Sequence, residues 1–340
     1  MSMIASATRL AERAPWPDAM LKLGVAALVG RTSRSLSGRA LSEETFAHGM
    51  EAFPIAAYTR AANEQHYELP ADFFGLSLGP RRKYSCCLYP TGNETLAEAE
   101  TFALEETIAR AKLADGHRIL ELGCGWGSLS LMMAERFPHA GITAVSNSAS
   151  QRRFIEQAAR ERGLGNLRVL TADMNTFAPQ TPFDRVVSVE MFEHMANWRE
   201  LLARIHAWLA PGGRLFVHVF SHRNRPYRFA VEDEGDWIAR HFFTGGLMPS
   251  HGLIARFPES FAVEQDWRWS GEHYQRTALH WLANLDAKRA GVDPILGRVY
   301  GKDADVWRRR WRLFFLAVAG LFGHAGGEEW GVSHYLLRPA

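Results

Sequence analysis

The string Glu190-Met-Phe-Glu-His-Met195 places two carboxylates and an imidazole close together in the middle of the chain. Such groups hold cations and move protons, so Glu190, Glu193 and His194 form a candidate acid/base set. Earlier, Ile119 to Gly127 reads ILELGCGWG, an apolar run followed by glycines at 123, 125 and 127. Glycines at a strand-to-helix turn let a ligand approach the backbone, and the helix start offers unpaired N–H groups. Together the strings predict a ligand crevice at the carboxyl ends of parallel strands, with acid/base groups at its mouth. The carboxylates also have a plain alternative, a helix N-terminal cap facing solvent.

The flanking elements favour the crevice. Apolar runs at Arg118–Leu122, Gly141–Val145, Leu167–Thr171, Phe183–Val189 and Leu215–Val219 are predicted strands. Helices are predicted between them at Ser128–Phe137 and at Ser150–Arg162, which Gly163 and Gly165 stop. Another runs from Trp198 to Leu209, with Leu201, Leu202, Ile205, Trp208 and Leu209 on one face, and ends at Pro211, Gly212 and Gly213. Alternating strands and helices predict an α/β fold with a parallel, doubly wound sheet. Residues 1–90 read as a helical N-terminal region or lid, and residues 91–340 as the main domain, with a substrate-covering insertion at about 220–290. A strand at Phe261–Trp267, helices near Tyr274–Ala290 and Asp305–Phe322, and an alternating strand at Glu329–Leu337 complete the reading.

Composition narrows the classes. The 340 residues are 47% hydrophobic, enough for one large core. A formal charge of +2, from 39 basic and 37 acidic side chains, provides no global field for a polyanion, and no nucleic-acid partner is expected. Cys86, Cys87 and Cys124 lack CxxC spacing, so neither a disulfide framework nor a metal site is expected. The start lacks a secretory pattern, and the longest apolar run, Leu313 to Phe322, is too short to span a bilayer, so a cytoplasmic protein is expected. Trp307 to Arg312 (WRRRWR) precedes that run. It predicts either a packed helix with a solvated arginine face or a helix lying on an anionic membrane.

The glycine spacing departs from GxGxxG, and Ser146 and Asn147 stand where an acidic residue would close the second strand of a nicotinamide site. Glu121, two residues before Gly123, together with Asp173 and Met174, instead resembles the E/DxGxGxG pattern of class I S-adenosylmethionine methyltransferases. NEQHYELP (Asn63 to Pro70), KYSCCLY (Lys83 to Tyr89), ELGCGWGSLSL, NSASQ, ADM, EMFEHM, FVH and GEEWGVSH (Gly327 to His334) extend the likeness from about Ala62 to the C terminus. The chain resembles the cyclopropane fatty acid synthase superfamily, and within it the coclaurine N-methyltransferase-like branch.

The resemblance implies a class I methyltransferase Rossmann-like doubly wound sheet and S-adenosylmethionine as methyl donor. By position, Tyr84, Ser85, Glu121, Gly123, Gly125, Ser146, Asn147, Gln151, Asp173, Met174 and Glu190 would contact the donor. His194 would be the base, with Glu190 and Glu193 positioning an amine. The lipid enzymes of the superfamily gather a bicarbonate at positions matching Cys86, Glu193, His218 and Tyr274, which makes bicarbonate a possible second ligand. Taken singly, His218 reads more readily as a satisfied core histidine, and Cys86 as a small buried hydrophobe. Phe192, Trp237, Phe242, Trp281, Trp330 and His334 are the expected acceptor pocket, with His241, Phe243 and Tyr274 beside them, since aromatic faces bind cations and flat rings. The acceptor implied is a hydrophobic, benzylisoquinoline-like or other cyclic amine. The alternative is an unsaturated acyl chain of a phospholipid, which would add peripheral membrane contact. A homodimer is expected.

Overall fold

The computed structural model describes residues 3–38, 41–57, 69–229 and 237–340, so Asn63 to Glu68 of NEQHYELP lie outside the described residues. The strands are β1 (Arg118–Leu122), β2 (Gly141–Ser146), β3 (Leu167–Thr171), β4 (Phe183–Val189), β5 (Leu209–His222), β6 (Tyr227–Arg228), β7 (Leu247–Met248), β8 (Phe261–Ser270) and β9 (Trp330–Pro339). Seven of them form one sheet in the order β3-β2-β1-β4-β5-β9-β8, and β6 and β7 form a separate ribbon. β1 to β5 pair in parallel, as expected, and the order reverses between β1 and β4. The last two strands depart from a wholly parallel sheet: β9 runs antiparallel to both β5 and β8. β9 also departs from the expected alternation, because its first eight residues are all buried between two neighbouring strands and the helices over them.

Helices flank this sheet at α1 (Met3–Arg13), α2 (Asp18–Ser37), α3 (Glu43–Gly49), α4 (Ala71–Ser77), α5 (Leu96–Arg110), α6 (Ser128–Arg136), α7 (Ala149–Glu161), α8 (Trp198–Trp208), α9 (Trp237–His241), α10 (Gly271–Ala287), α11 (Arg289–Tyr300) and α12 (Ala304–Phe322). Local chemistry sets several starts. Thr95 and Glu98 form a capping box on α5, Ser148 caps α7, and Asn197 caps α8. The expected helix near Tyr274–Ala290 is two elements, α10 and α11. Gly291, Pro294 and Gly297 make α11 look like a loop in sequence, yet burial of Val292, Ile295 and Leu296 holds it helical around the proline.

The expected insertion at about 220–290 is smaller than its sequence suggests. β8 is an edge strand of the main sheet and α10 packs on α12, so both belong with the main domain. The WRRRWR segment opens α12 as a packed helix, but its arginines are paired. Arg310 bonds Glu12 of α1 (3.0 Å), while Arg312 bridges Asp18 of α2 (3.0 Å) and Asp286 of α10 (2.8 Å). Trp311 is fully buried and Trp307 stacks on Tyr300. Among the described residues, no helix is long and apolar enough to cross a membrane.

Candidate active site

β1 ends at Leu122 and the chain turns through Gly123, Cys124, Gly125, Trp126 and Gly127 into α6. Gly123 and Cys124 donate to the Val145 carbonyl at 2.9 and 3.0 Å, tying the turn to β2. All three glycines have positive φ, for different reasons. A Cβ on Gly123 would lie 2.7 Å from Met191 Cβ, and one on Gly127 would lie 2.7 Å from Ile155. A Cβ on Gly125 would meet nothing within 4 Å, so this side of its backbone borders open space that a ligand can enter. Met191 belongs to EMFEHM, which makes the two strings direct packing partners across β1 and β4.

Beneath the turn, the buried Glu121 accepts a hydrogen bond from the Ser130 hydroxyl, and burial pushes its carboxyl up to about 8. Ser146 donates to Gln151 Oε1 (2.6 Å) and accepts from the Ser148 N–H (3.0 Å), so the turn itself engages this hydroxyl. Gln151 Nε2 is left buried with no partner, a costly state that an acceptor on a ligand would relieve. Asp173 accepts from the Asn175 N–H (2.8 Å) and Nδ2 (2.9 Å), with Met174 buried beside it and Asn147 at the end of β2. Tyr84 packs between Phe74 and Trp281, and the Ser85 hydroxyl accepts from Lys83 Nζ (2.5 Å). An open backbone at Gly125 and an orphaned amide at Gln151 fit the S-adenosylmethionine implied by the sequence.

The acid/base centre forms where β4 ends. Glu190 has φ +47°, an unusual value for a residue with a side chain, and its N–H donates to the His218 carbonyl (2.8 Å). Its carboxylate accepts from the Cys86 N–H (2.9 Å), the Tyr274 hydroxyl (2.6 Å) and the His218 ring (3.3 Å). Glu193 is buried more deeply than Glu190, yet neither of its oxygens has a hydrogen-bond partner. Burial raises the pKa of both carboxyls. The effect is greater at Glu193, where the Glu190 charge adds to it, and smaller at Glu190, where Lys83, the Cys86 N–H and Tyr274 oppose it. Of the two, Glu193 therefore takes up the first proton, and Glu190 is the better placed to carry the charge.

Of the expected quartet, Cys86, His218 and Tyr274 gather on Glu190 rather than around Glu193. Cys86 contributes its backbone N–H, while its thiol donates to the Cys87 carbonyl (3.3 Å) and burial holds it well above the usual thiol range. His218 is fully buried and its pKa is held well down, first by desolvation and then by Lys83 and Arg110. Two charged contributors escaped the sequence reading. Lys83 is buried, with Nζ on Ser85 Oγ and the Cys86 carbonyl at 2.5 Å each, and Arg110 reaches His334 Nδ1 at 2.6 Å. Lys83 lies inside the KYSCCLY string, but nothing local to it signals a buried cation.

The expected aromatic set is dispersed. Trp281 lies beside Tyr84 and Tyr274, next to the acid/base centre. Phe192 packs into the core against Trp198, and Phe242 stacks on Phe314. Trp237 donates to Glu12 (2.5 Å), Trp330 donates to the Tyr227 hydroxyl (3.1 Å), and His334 is enclosed beside His218. A connected run of rings instead leads from His194 through Phe243, Phe220 and Phe322 to Tyr274, with centroid spacings of 4.6, 5.5, 6.0 and 4.4 Å. Phe220 and Phe322 lie far apart in sequence, on β5 and α12, and only the fold brings them together.

The family profile described as mycolic acid cyclopropane synthetase matches residues 57–325. The chain belongs to this family. Members are similar to it along most of their length. A (S)-coclaurine N-methyltransferase of Thalictrum flavum subsp. glaucum is 38% identical over 296 residues, covering 86% of this chain and 82% of that one. A cyclopropane-fatty-acyl-phospholipid synthase of Escherichia coli (strain K12) is 30% identical over 288 residues, covering 84% and 70%. The crystal structure of a coclaurine N-methyltransferase bound to N-methylheliamine and SAH superposes with a TM-score of 0.95 at 31% identity, over 99% of this chain and 100% of that one. This member of the family is an S-adenosylmethionine-dependent methyltransferase, built on the class I fold that its sequence predicts.

Proposed function

We propose that the enzyme methylates the nitrogen of a hydrophobic, benzylisoquinoline-like or other cyclic amine. The observation carrying this reading is the Glu190 carboxylate, which takes the Cys86, His218 and Tyr274 donors that the resemblance would assign to a bicarbonate. A fixed internal anion suits an acceptor that arrives as an ammonium ion, and it leaves those donors satisfied without bicarbonate. S-adenosylmethionine supplies the electrophilic methyl group when bound. The chain must orient the amine and remove its proton, because an ammonium has no lone pair to attack with. Glu190 holds the cation, His194 takes the proton, Glu193 helps position the amine, and the rings from Phe243 to Tyr274 face the hydrophobic body of the acceptor. The pairing of Arg310 and Arg312 with Glu12, Asp18 and Asp286 further disfavours a membrane-bound lipid acceptor.

The test is to incubate the purified protein with methyl-labelled S-adenosylmethionine and either cyclic secondary amines or liposomes carrying cis-unsaturated chains. The expected outcome is label in the amines. Label confined to lipid would overturn the reading.

A further inference from the structure

We infer that Arg110 is a positioning residue: through His334 and His218 it fixes the direction of a buried hydrogen-bond chain so that Glu190 is held as a carboxylate. The chain begins at the end of α5, where Arg110 is clamped by Glu106 (2.6 Å) and lies over the Trp267 ring (4.9 Å). Its Nη1 meets His334 Nδ1 at 2.6 Å, His334 Nε2 meets His218 Nδ1 at 2.8 Å, and His218 Nε2 meets Glu190 Oε1 at 3.3 Å. His218 and His334 face each other directly in the β5–β9 pairing, and both are fully buried.

The proton positions follow from donor chemistry. A guanidinium can only donate, so His334 Nδ1 accepts and a neutral His334 carries its proton on Nε2. That N–H points at His218, so His218 Nδ1 also accepts and its proton sits on Nε2. His218 then donates to Glu190, beside the donors from Cys86 and Tyr274. Neither imidazole can take up a second proton without aiming N–H at N–H, which agrees with the lowered pKa of both rings. Lys83, near Cys86, adds positive charge, and Trp269 closes the ring pair from β8. The network therefore has one low-energy direction, and the proton of an incoming cation is left to His194.

This inference deepens the amine reading and rests on it for its kinetic consequence, but the direction of the chain can be tested without any acceptor. In protein labelled with ¹⁵N-histidine, long-range proton–nitrogen correlation should show His218 and His334 as neutral Nε2–H tautomers at neutral pH. Signals would be assigned by His218→Gln and His334→Gln. A proton on Nδ1 of either ring in the wild type would overturn the inference whatever the acceptor. Arg110→Met should release the tautomer preference and move the acid limb of kcat/KM for an amine upward by about one pH unit, because Glu190 loses a donor that favours its charged form. Arg110→Lys should restore most of both readouts. Unchanged tautomers and an unchanged limb in folded Arg110→Met would reduce Arg110 to a structural role. Absence of amine turnover in the wild type would defeat the amine reading while leaving the tautomer result standing.

Discussion

The proposed donor half and the proposed acceptor half of the site are built on opposite plans. At the donor half, the protein mainly removes side chains: Gly123 and Gly127 let neighbours close in, and Gly125 leaves backbone bare. At the acceptor half, it concentrates side chains, with two carboxylates, two imidazoles, a phenol and a lysine enclosed around the end of β4. The first plan is steric and local. The second is electrostatic and depends on which strands become neighbours. Met191 against Gly123 is one point where the two plans touch, and Lys83, bonded to both Ser85 and Cys86, is another.

The largest effect is expected from Glu190→Gln, which removes the fixed anion and should cut turnover by about a hundredfold or more. Calorimetry should show donor binding changing far less; a comparable loss of donor affinity would mean the halves are not separable. Glu193→Gln should lower turnover by at least about tenfold and raise thermal stability at alkaline pH. The sign follows from linkage: a carboxyl whose folded pKa is raised favours folding while protonated and loses that contribution as pH rises through its folded value. The Tm advantage of the Gln variant should therefore shrink as pH falls towards the unfolded carboxyl pKa near 4.3. A Tm difference independent of pH would show that Glu193 does not titrate in its buried position. The smallest effects separate two glycines. Gly123→Ala should cost about 1–3 kcal/mol of stability through the clash with Met191, read by denaturant unfolding. Gly125→Ala, facing open space, should weaken donor binding by about tenfold, equivalent to about 1.4 kcal/mol, with a smaller loss of stability.

The same contrast explains what was legible in the sequence. The parallel core and the glycine turn were readable because apolar periodicity and glycine spacing are local signals. EMFEHM was readable as chemistry, but not the division of labour within it. Glu190 and Glu193 look alike in sequence, and they differ because Cys86, His218 and Tyr274 all converge on one of them. His334 was placed with the aromatic pocket, yet its antiparallel register with His218 makes it a hydrogen-bonding partner. Arg110 ends a helix where a basic residue is unremarkable. Its meaning depends on a strand more than two hundred residues later. The missed α11 shows the same limit, since burial overrides the breaker residues it contains.

In the proposed mechanism Glu190 serves as the built-in anion of the acceptor site. The most direct test of this role is turnover of a cyclic secondary amine in buffer stripped of bicarbonate, compared with the same assay after bicarbonate is restored. The account predicts equal rates in the two buffers. A rate that collapses without bicarbonate and returns with it would contradict the account, because the Glu190 carboxylate would then not be doing that anion's work.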